Sequence, residues 1–206
     1  SSIEPMNFPQ NLAVCMAELP KCQPHFHLPL QAGSDQTLMR MRRRYTTEEY
    51  AGLVEKLKSL FPDVGITTDI MVGFPGETDQ DFEDSSSFVE EMSFSQLHVF
   101  RYSPRRNTPA ADYPNQVQPQ VSAERSRWMI DLGNKLSVAF RKRMIGKTMD
   151  VLVENRREDK DNLLTGFSGN YLRVAADVPD SAINQILSIT LEPPVGEVFR
   201  GRILKA

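Results

Sequence analysis

A repeated strand–loop–helix pattern in the first hundred residues constrains the fold of this chain most strongly. Short β-branched or apolar stretches at 26–30, 65–73 and 97–102 alternate with stretches whose apolar residues recur at helical spacing. This alternation predicts parallel strands joined by right-handed helical crossovers. Three strands do not close a barrel and leave an edge open to pairing, so we expect further strands before Ser1. The first part of the chain is therefore predicted to be a partial, open α/β barrel.

Capping residues mark where the predicted helices begin. Ser34 is suited to the N-cap of a helix that follows the first strand. Thr46 and Glu49 have the spacing of a capping box, and Thr78 and Asp81 repeat that spacing after the second strand. These signals predict helices that start just after residues 34, 46 and 78.

The pattern changes after a long helix predicted at 122–144, which Gly146 ends. We expect this helix to bury its apolar residues, namely Trp128, Leu132, Leu136, Ala139 and Phe140. Five short alternating strands follow, the last at 197–204, which is typical of a small OB-like β-barrel. The chain is thus predicted to divide into an α/β part at 1–144, with helix 122–144 as a linker, and an all-β part at 145–206.

Three loop motifs follow the three predicted strands. They read HLPLQAGS at 27–34, TDIMVGFPGE at 68–77 and FRYSPR at 100–105. Because the carboxyl ends of parallel strands meet at one face of a sheet or barrel, these loops should lie together there. The chain is therefore predicted to carry one side of a ligand-binding site.

Individual residues of these loops suggest how a ligand would be held. Gly33 would let a ligand approach the backbone, and Ser34 leads into unpaired N–H groups that suit a carboxylate or phosphate. A plain strand-to-helix turn with an N-cap is the alternative interpretation. Asp69 lies in an otherwise apolar strand, so its carboxylate needs a partner, either a ligand hydroxyl or a nearby arginine.

The histidines and cysteines do not predict a metal site. His25, His27 and His98 are interpreted as packed, hydrogen-bonded residues, because a three-histidine site has no carboxylate in view. Cys15 and Cys22 fit no familiar zinc or cluster spacing and are interpreted as ordinary thiols. Two cysteines in 206 residues exclude a disulfide framework and indicate a reducing compartment.

Composition is that of an ordinary globular protein, with 40% apolar and 25% charged residues. No apolar run approaches the roughly 20 residues that a membrane-spanning helix needs. The net charge is −3, but basic residues cluster at 40–44 and along the helix 122–143. These clusters are either solvated helix faces or a polyanion-binding surface.

Taken together, the motifs HLPLQ-x-GS, TDI-x-VGFPGET and YSPR-x-x-TPA, followed by a small β-barrel, resemble the back half of the radical S-adenosylmethionine (SAM) methylthiotransferases. The last segment resembles the TRAM domain, an RNA-binding barrel, at 164–166 and 170–174. The resemblance implies an open TIM-like radical SAM barrel followed by a TRAM barrel. Segments 41–46, 97–103 and 170–172 most resemble the branch acting on threonylcarbamoyladenosine at tRNA position 37. The isopentenyladenosine branch ranks second, and the branch modifying a ribosomal-protein aspartate ranks third.

The resemblance also implies cofactors and chemistry. The family uses SAM and two [4Fe-4S] clusters, one of them bound by Cys-x3-Cys-x2-Cys, to insert a methylthio group at C2 of the adenosine. Both cluster-binding segments would precede Ser1, so this chain alone is expected to be inactive. Gln31, Gly33 and Ser34 would face the methionine or ribose end of SAM. Asp69 would orient a polar group, and the backbone at 72–73 (Val72 and Gly73) would pack beside the adenine.

Two departures from the family pattern concern the loops. Ala32 stands where serine is usual, which removes a hydroxyl. Asn107 replaces the usual glycine before Thr108, and asparagine tolerates a left-handed conformation, so the turn should persist.

The implied partner is the anticodon loop of tRNA at position 37, in the cytoplasm, with no membrane or DNA partner. In the barrel, Tyr171 is expected to stack on a base, and Arg173, Arg200 and Arg202 to contact phosphates. Two other functions remain open at this point: a stand-alone RNA-binding or scaffolding protein, and a SAM-binding methyltransferase without radical chemistry.

Overall fold

A computed structural model describes residues 3–9, 11–158 and 161–203. The helices are α1 (Leu12–Ala17), α2 (Asp35–Arg40), α3 (Thr47–Leu60), α4 (Asp79–Met92) and α5 (Pro119–Met144). The strands of the first part are β1 (His25–His27), β2 (Gly65–Val72) and β3 (Gln96–Arg101). The strands of the second part are β4 (Thr148–Arg157), β5 (Leu164–Ser168), β6 (Arg173–Ala176), β7 (Ile186–Val195) and β8 (Val198–Ile203).

The first three strands form a parallel sheet in the order β1-β2-β3, which confirms the predicted parallel α/β arrangement. His27 pairs with Thr67, and Asp69 pairs with His98. Alternate residues of β2, such as Ile66 and Ile70, are buried against the helices in one apolar core. The opposite face of the sheet is less covered, and we call it the open face. From the amino to the carboxyl end, its side chains are His25, His27, Thr67, Gln96, Asp69, His98, Met71 and Phe100.

The three predicted helix starts are confirmed. The Ser34 hydroxyl accepts a hydrogen bond from the Thr37 N–H at the start of α2. Thr46 with Glu49 and Thr78 with Asp81 both form complete capping boxes at the starts of α3 and α4. Each cap satisfies backbone N–H groups that have no partner within the helix.

Helix α5 begins at Pro119, three residues before the predicted start. Proline is favoured at the first helical position because its fixed φ suits the helix and its missing N–H would have no partner there. The prediction that Trp128 and Ala139 are buried was wrong. Trp128 is 49% exposed, with its ring edge against Phe82, and Ala139 is exposed. The buried stripe of α5 is set instead by Met129, Leu132 and Phe140.

The second part of the chain is a closed five-stranded barrel in the order β4-β5-β6-β8-β7. The predicted small all-β barrel is therefore confirmed, although Leu204 of the predicted last strand lies outside the described residues. Its interior is filled by alternate strand residues, among them Val151, Val153, Leu164, Val174, Ile189, Leu191 and Phe199. Phe140 and Met144 from the end of α5 belong to the same core, so the helix packs on both parts of the chain.

The barrel lies against the amino ends of β1 and β2. The Asn170 side-chain amide donates to the Asp63 carbonyl at 2.9 Å, and Lys147 forms an ion pair with the Asp63 carboxylate. The Tyr171 ring stacks on His25 at 4.8 Å between centroids. The barrel and the motif loops are therefore at opposite ends of β2, about 25 Å apart at 3.3 Å per residue.

Among the described residues, no helix combines the length and apolar character needed to cross a membrane.

Candidate functional site

The first motif loop is bonded to β2 at Gln31. Gln31 has a left-handed backbone with φ of 70°. Its N–H donates to the Asp69 carbonyl, and its carbonyl accepts from the Met71 N–H, both at 2.8 Å. Its side-chain amide has no hydrogen-bond partner among the described residues and is half-exposed. Gln31 is thus held firmly by its backbone while its amide is free to contact a ligand.

Gly33 and Ser34 both make contacts within the protein. The Gly33 N–H donates to the Ser85 hydroxyl at 3.1 Å, and a β-carbon on Gly33 would lie 2.8 Å from the Ser85 Cα. Glycine is therefore needed at this position because α4 approaches closely. The Ser34 hydroxyl is buried and donates to the Asp81 carboxylate at 2.7 Å. Both residues fix the loop against α4.

Asp81 joins the first and second motif regions through a buried hydrogen-bond network. Its carboxylate accepts from Ser34, from the Thr78 N–H and hydroxyl, and from Arg40 at 2.9 Å. Burial alone would raise the pKa of Asp81, but these hydrogen bonds outweigh it and lower the pKa to about 2. The carboxylate is therefore ionised at neutral pH and holds three separate segments together.

The second motif loop, GFPGE, is held by a buried ion pair. Gly73 has φ of 75°, and its N–H donates to the Glu77 carboxylate at 2.9 Å. Arg125 of α5 donates to the same carboxylate at 2.6 Å and to exposed Asp79 at 2.6 Å. Burial raises the pKa of Glu77, and the hydrogen bonds from Gly73 and Arg125 oppose that rise.

Arg125 was not predicted as a residue of this site. Its position in the sequence indicates that it is buried, because Arg125, Met129 and Leu132 follow the i, i+4, i+7 spacing of the buried face of α5. An arginine in such a stripe needs a buried acidic partner, because an isolated charge there is costly. Val72, which precedes the loop, points its side chain into the core, and its carbonyl accepts from the Tyr102 N–H at 2.9 Å.

The third motif loop brings a polar group next to the second. The Tyr102 ring packs edge-on against Phe74 at 5.2 Å between centroids. Its hydroxyl is buried and has no hydrogen-bond partner among the described residues. Asn107 has φ of 65°, which confirms that asparagine supports the left-handed turn there.

Asp69 lies between two histidines on the open face. One carboxylate oxygen is 3.4 Å from His27 Nε2, and the other is 3.2 Å from His98 Nδ1. Among the described residues Asp69 has no arginine partner. His98 pairs with Asp69 across β2 and β3, and His27 pairs with Thr67, two residues before Asp69 on the same face. The expectation that the histidines lack a carboxylate was wrong, since alignment between strands is not visible in local sequence.

Residues 14–89 match the sequence profile of the Radical SAM superfamily. They include the first two motif loops and the strands and helices that hold them. We call residues 14–89 the radical SAM part of the chain.

The radical SAM part and the barrel align together with longer proteins. The chain is 40% identical over 187 residues to a tRNA-2-methylthio-N(6)-dimethylallyladenosine synthase from Pelotomaculum thermopropionicum, covering 91% of this chain and 42% of that protein. It is 37% identical over 195 residues to a synthase of the same name from Streptomyces coelicolor, covering 93% of this chain and 39% of that protein. The chain is homologous to these methylthiotransferases and spans less than half of their length.

A solved structure supports the radical SAM fold. The chain matches coproporphyrinogen III oxidase from Escherichia coli, described as a radical SAM enzyme, with a TM-score of 0.55 and 12% identity. The match covers 82% of this chain and 44% of that one. At this identity the likeness concerns the fold alone.

The expected threonylcarbamoyladenosine specificity was wrong. Relatives from Pelotomaculum thermopropionicum, Ehrlichia chaffeensis and Streptomyces coelicolor are all named for dimethylallyladenosine, which is the isopentenyladenosine branch. The segments that suggested the other branch lie in the connection between α2 and α3, in β3 and the loop after it, and in the barrel, and they do not outweigh identity along nearly the whole chain.

The α/β part offers groups for SAM but no cluster site among the described residues. The Gln31 amide and the unpaired Tyr102 hydroxyl are polar groups at the carboxyl ends of the strands that remain without partners. Cys15 is exposed on α1, and Cys22 is half-buried in the following loop. Neither belongs to a group of three ligating side chains within the part of the chain that the structure describes. The residues present thus fit SAM and do not fit an iron–sulfur cluster.

In the barrel, the expected RNA-binding residues differ in availability. Tyr171 is 60% exposed, and its ring stacks on His25 and on Phe167, each at 4.8 Å between centroids. Interior Val174 and Phe199 alternate with the arginines, which places Arg173, Arg200 and Arg202 on the outer surface. Arg200 pairs with Asp161, and Arg202 lies 3.4 Å from Glu192.

Proposed function

We propose that this chain is part of a tRNA methylthiotransferase that converts N6-dimethylallyladenosine at position 37 into its 2-methylthio derivative. The observation that carries the proposal is the homology, at 40% identity across 91% of the chain, to a synthase named for that product. The radical SAM fold and the gathering of the three motif loops at one end of the sheet support it. The cluster-binding residues would lie outside this chain.

For the cofactor, we propose that the chain supplies one wall of the SAM site. SAM, when bound, supplies the radical and the methyl group of the reaction. The Gln31 amide and the Tyr102 hydroxyl would donate hydrogen bonds to its polar groups, because both lack protein partners. The backbone at 72–73 would line the adenine. Gly33 and Ser34 would act indirectly, by fixing the loop that carries Gln31.

For the tRNA, we propose that the outer surface of the barrel contacts phosphates through Arg173, Arg200 and Arg202. Arg173 has no acidic partner among the described residues, whereas Arg200 and Arg202 would exchange theirs for phosphate. The barrel lies at the amino ends of the strands, so a bound tRNA must extend along the sheet to reach the motif loops as well. Binding to the barrel would then position the anticodon arm for the site.

The proposed function is tested in cells of the source organism that lack the gene for the protein containing this chain. Nucleosides from total tRNA are separated and identified by mass spectrometry. We expect 2-methylthio-N6-dimethylallyladenosine to disappear and N6-dimethylallyladenosine to accumulate. Loss of the methylthio group from a different nucleoside would contradict the proposed substrate, and an unchanged nucleoside profile would favour the RNA-binding protein without catalysis.

Complementation then tests the proposed cofactor wall. Genes with Gln31→Ala and Tyr102→Phe should restore little methylthiolation, while protein levels stay normal. Gln185→Ala is the matched control, because Gln185 is exposed on the barrel, at the opposite end of β2 from the motif loops, and it should restore the modification fully. Full activity of both test variants would show that the cofactor lies elsewhere.

A further inference from the structure

Three adjacent strands bring two imidazoles and a carboxylate together on the open face. His27 is at the end of β1, Asp69 is in the middle of β2, and His98 is directly opposite Asp69 on β3. One ligand atom from each side chain lies within 4.8 Å of the other two. None of the proposed cofactor contacts uses these histidines.

We propose that His27, Asp69 and His98 bind a divalent transition-metal cation of the zinc, cobalt and iron class. Such ions bind imidazole nitrogen and carboxylate oxygen at about 2.0–2.2 Å, which separates neighbouring ligand atoms by about 3.0–3.4 Å. The two distances to the Asp69 oxygens are 3.4 Å and 3.2 Å. Two of the three separations are therefore already close to those around a bound ion, and side-chain rotation must shorten any that approaches the 4.8 Å limit. Two histidines with one carboxylate form a set that suits these metals better than Mg²⁺ or Ca²⁺.

Thr67 orients His27 for this role. Its hydroxyl lies 2.9 Å from His27 Nδ1, on the side of the ring away from Asp69. If the Nδ1–H of His27 donates to that hydroxyl, the lone pair of Nε2 points towards the Asp69 carboxylate. Two electron-rich atoms then face each other, and only a cation or a second proton between them makes this contact favourable. Metal-binding histidines commonly donate their other N–H to such an outer partner.

The charges and exposure of the site suit an ion that keeps open positions. Asp69 has no lysine or arginine partner among the described residues, so its carboxylate faces the two imidazoles alone. The side chains of His27, Asp69 and His98 are 18%, 23% and 45% exposed. Three protein ligands with a partly exposed side leave room for an exchangeable ligand. The site is thus typical of metal centres that bind a further molecule.

The test is a calorimetric titration of the chain with Zn²⁺, repeated with Co²⁺ and followed by visible absorption. Both cysteines are replaced first, by Cys15→Ser and Cys22→Ser, because thiolates would also bind these ions. We expect one ion per chain and weak d–d absorption bands from bound Co²⁺. His98→Asn should weaken Zn²⁺ binding about 100-fold or more, and Thr67→Val about 10-fold or more.

His98→Asn is the decisive variant, because the His98 side chain is the most exposed of the three and its loss should leave the fold intact. The melting temperature and circular dichroism of each variant verify this. His25→Gln is the matched control: His25 lies on the same strand as His27 but stacks on Tyr171, and its replacement should change affinity less than about twofold. Absence of saturable binding, or equal affinity in His98→Asn and the parent, would show that the three residues are only a hydrogen-bonded packing cluster.

Discussion

The motif loops and the barrel surface use their charged residues in opposite ways. In the loops, charged side chains such as Glu77, Asp81 and Arg125 are buried and bonded to several partners. On the barrel, Arg202 and Glu192 form a single pair at 3.4 Å with most of the arginine exposed. The first arrangement fixes a geometry, whereas the second leaves the charges available to exchange partners.

This difference distinguishes residues that stabilise the fold from residues that bind a partner. Burial makes a polar contact costly to break, because the remaining partner is left without water. The loop residues therefore act by holding backbone segments in place, and their substitution should mainly lower the free energy of unfolding. Substitution of exposed residues on the barrel should mainly weaken the binding of a partner.

The largest effect is expected from Arg125→Met. This change leaves the Glu77 carboxylate, whose side chain is 3% exposed, without its charged partner. Breaking a buried ion pair in this way costs about 3–5 kcal/mol. Urea unfolding followed by circular dichroism measures the loss.

The control for Arg125 is built into the same ion pair. Asp79 binds the other side of the guanidinium but its side chain is 92% exposed, so Asp79→Ala should cost less than about 1 kcal/mol. Equal losses in the two variants would contradict the division between buried loop charges and exposed ones.

The second largest effect is expected from Gly33→Ala. The new β-carbon would lie 2.8 Å from the Ser85 Cα and 2.9 Å from the Ser85 carbonyl oxygen, both backbone atoms. Helix α4 must move, which costs up to about 3 kcal/mol. Thermal unfolding of the variant measures this cost.

Gly52→Ala is the matched substitution, because a β-carbon at Gly52 in α3 meets nothing within 4 Å. Alanine at an open helical position stabilises by about 0.5–1 kcal/mol. The two alanine substitutions should thus change stability in opposite directions. A stabilised Gly33→Ala variant would mean that Gly33 is free to admit a ligand, as the sequence first suggested.

Ser34 and Arg125 show how far the site could be predicted from the sequence. Ser34 was correctly predicted as an N-cap, because capping depends on residues three positions apart. Its bond to Asp81 was not predicted, since that bond joins residues 47 positions apart. Arg125 and Glu77 are separated by 48 positions, and local patterns do not specify such pairs.

Asp69 marks the same limit within the sheet. Asp69 was expected to need a partner, because an unpaired charge in an apolar strand is costly, and two imidazoles do lie beside it. The identity of the partner depended on the register of β2 with β1 and β3. The order of strands and the starts of helices follow from periodicity and caps, whereas side chains on neighbouring strands come together only through the register of the whole sheet.

The next effect concerns pH and tests the network around Asp81. The folded-state pKa of Asp81 is about 2, below the ordinary value of 3.8. The carboxylate therefore stabilises the fold above pH 4, and this contribution of about 2 kcal/mol is lost as the pH falls from 4 to 2. Asp81→Asn should be less stable at pH 7 and should approach the parent at pH 2.

Unfolding free energies measured between pH 2 and pH 7 give the comparison. Asp84→Asn is the control on the same helix, because Asp84 is exposed and hydrogen-bonded only to Gln80 among the described residues. Its pH profile should run parallel to that of the parent. If Asp81→Asn also ran parallel, the hydrogen bonds from Ser34, Thr78 and Arg40 would not stabilise the ionised form.

The smallest effect on stability is expected from Arg202→Ala on the barrel. An exposed pair such as Arg202 with Glu192 contributes less than about 1 kcal/mol, so unfolding should barely change. If the outer surface of the barrel binds tRNA, the same substitution should weaken tRNA binding and reduce the slope of log K against log salt by about 1. Filter binding at several salt concentrations measures that slope.

Arg127→Ala removes an equal charge from the exposed side of α5, and it separates the barrel surface from the basic cluster of that helix. A change of slope in Arg127→Ala alone would assign RNA contact to the helix, because only charges that neutralise phosphates release counterions.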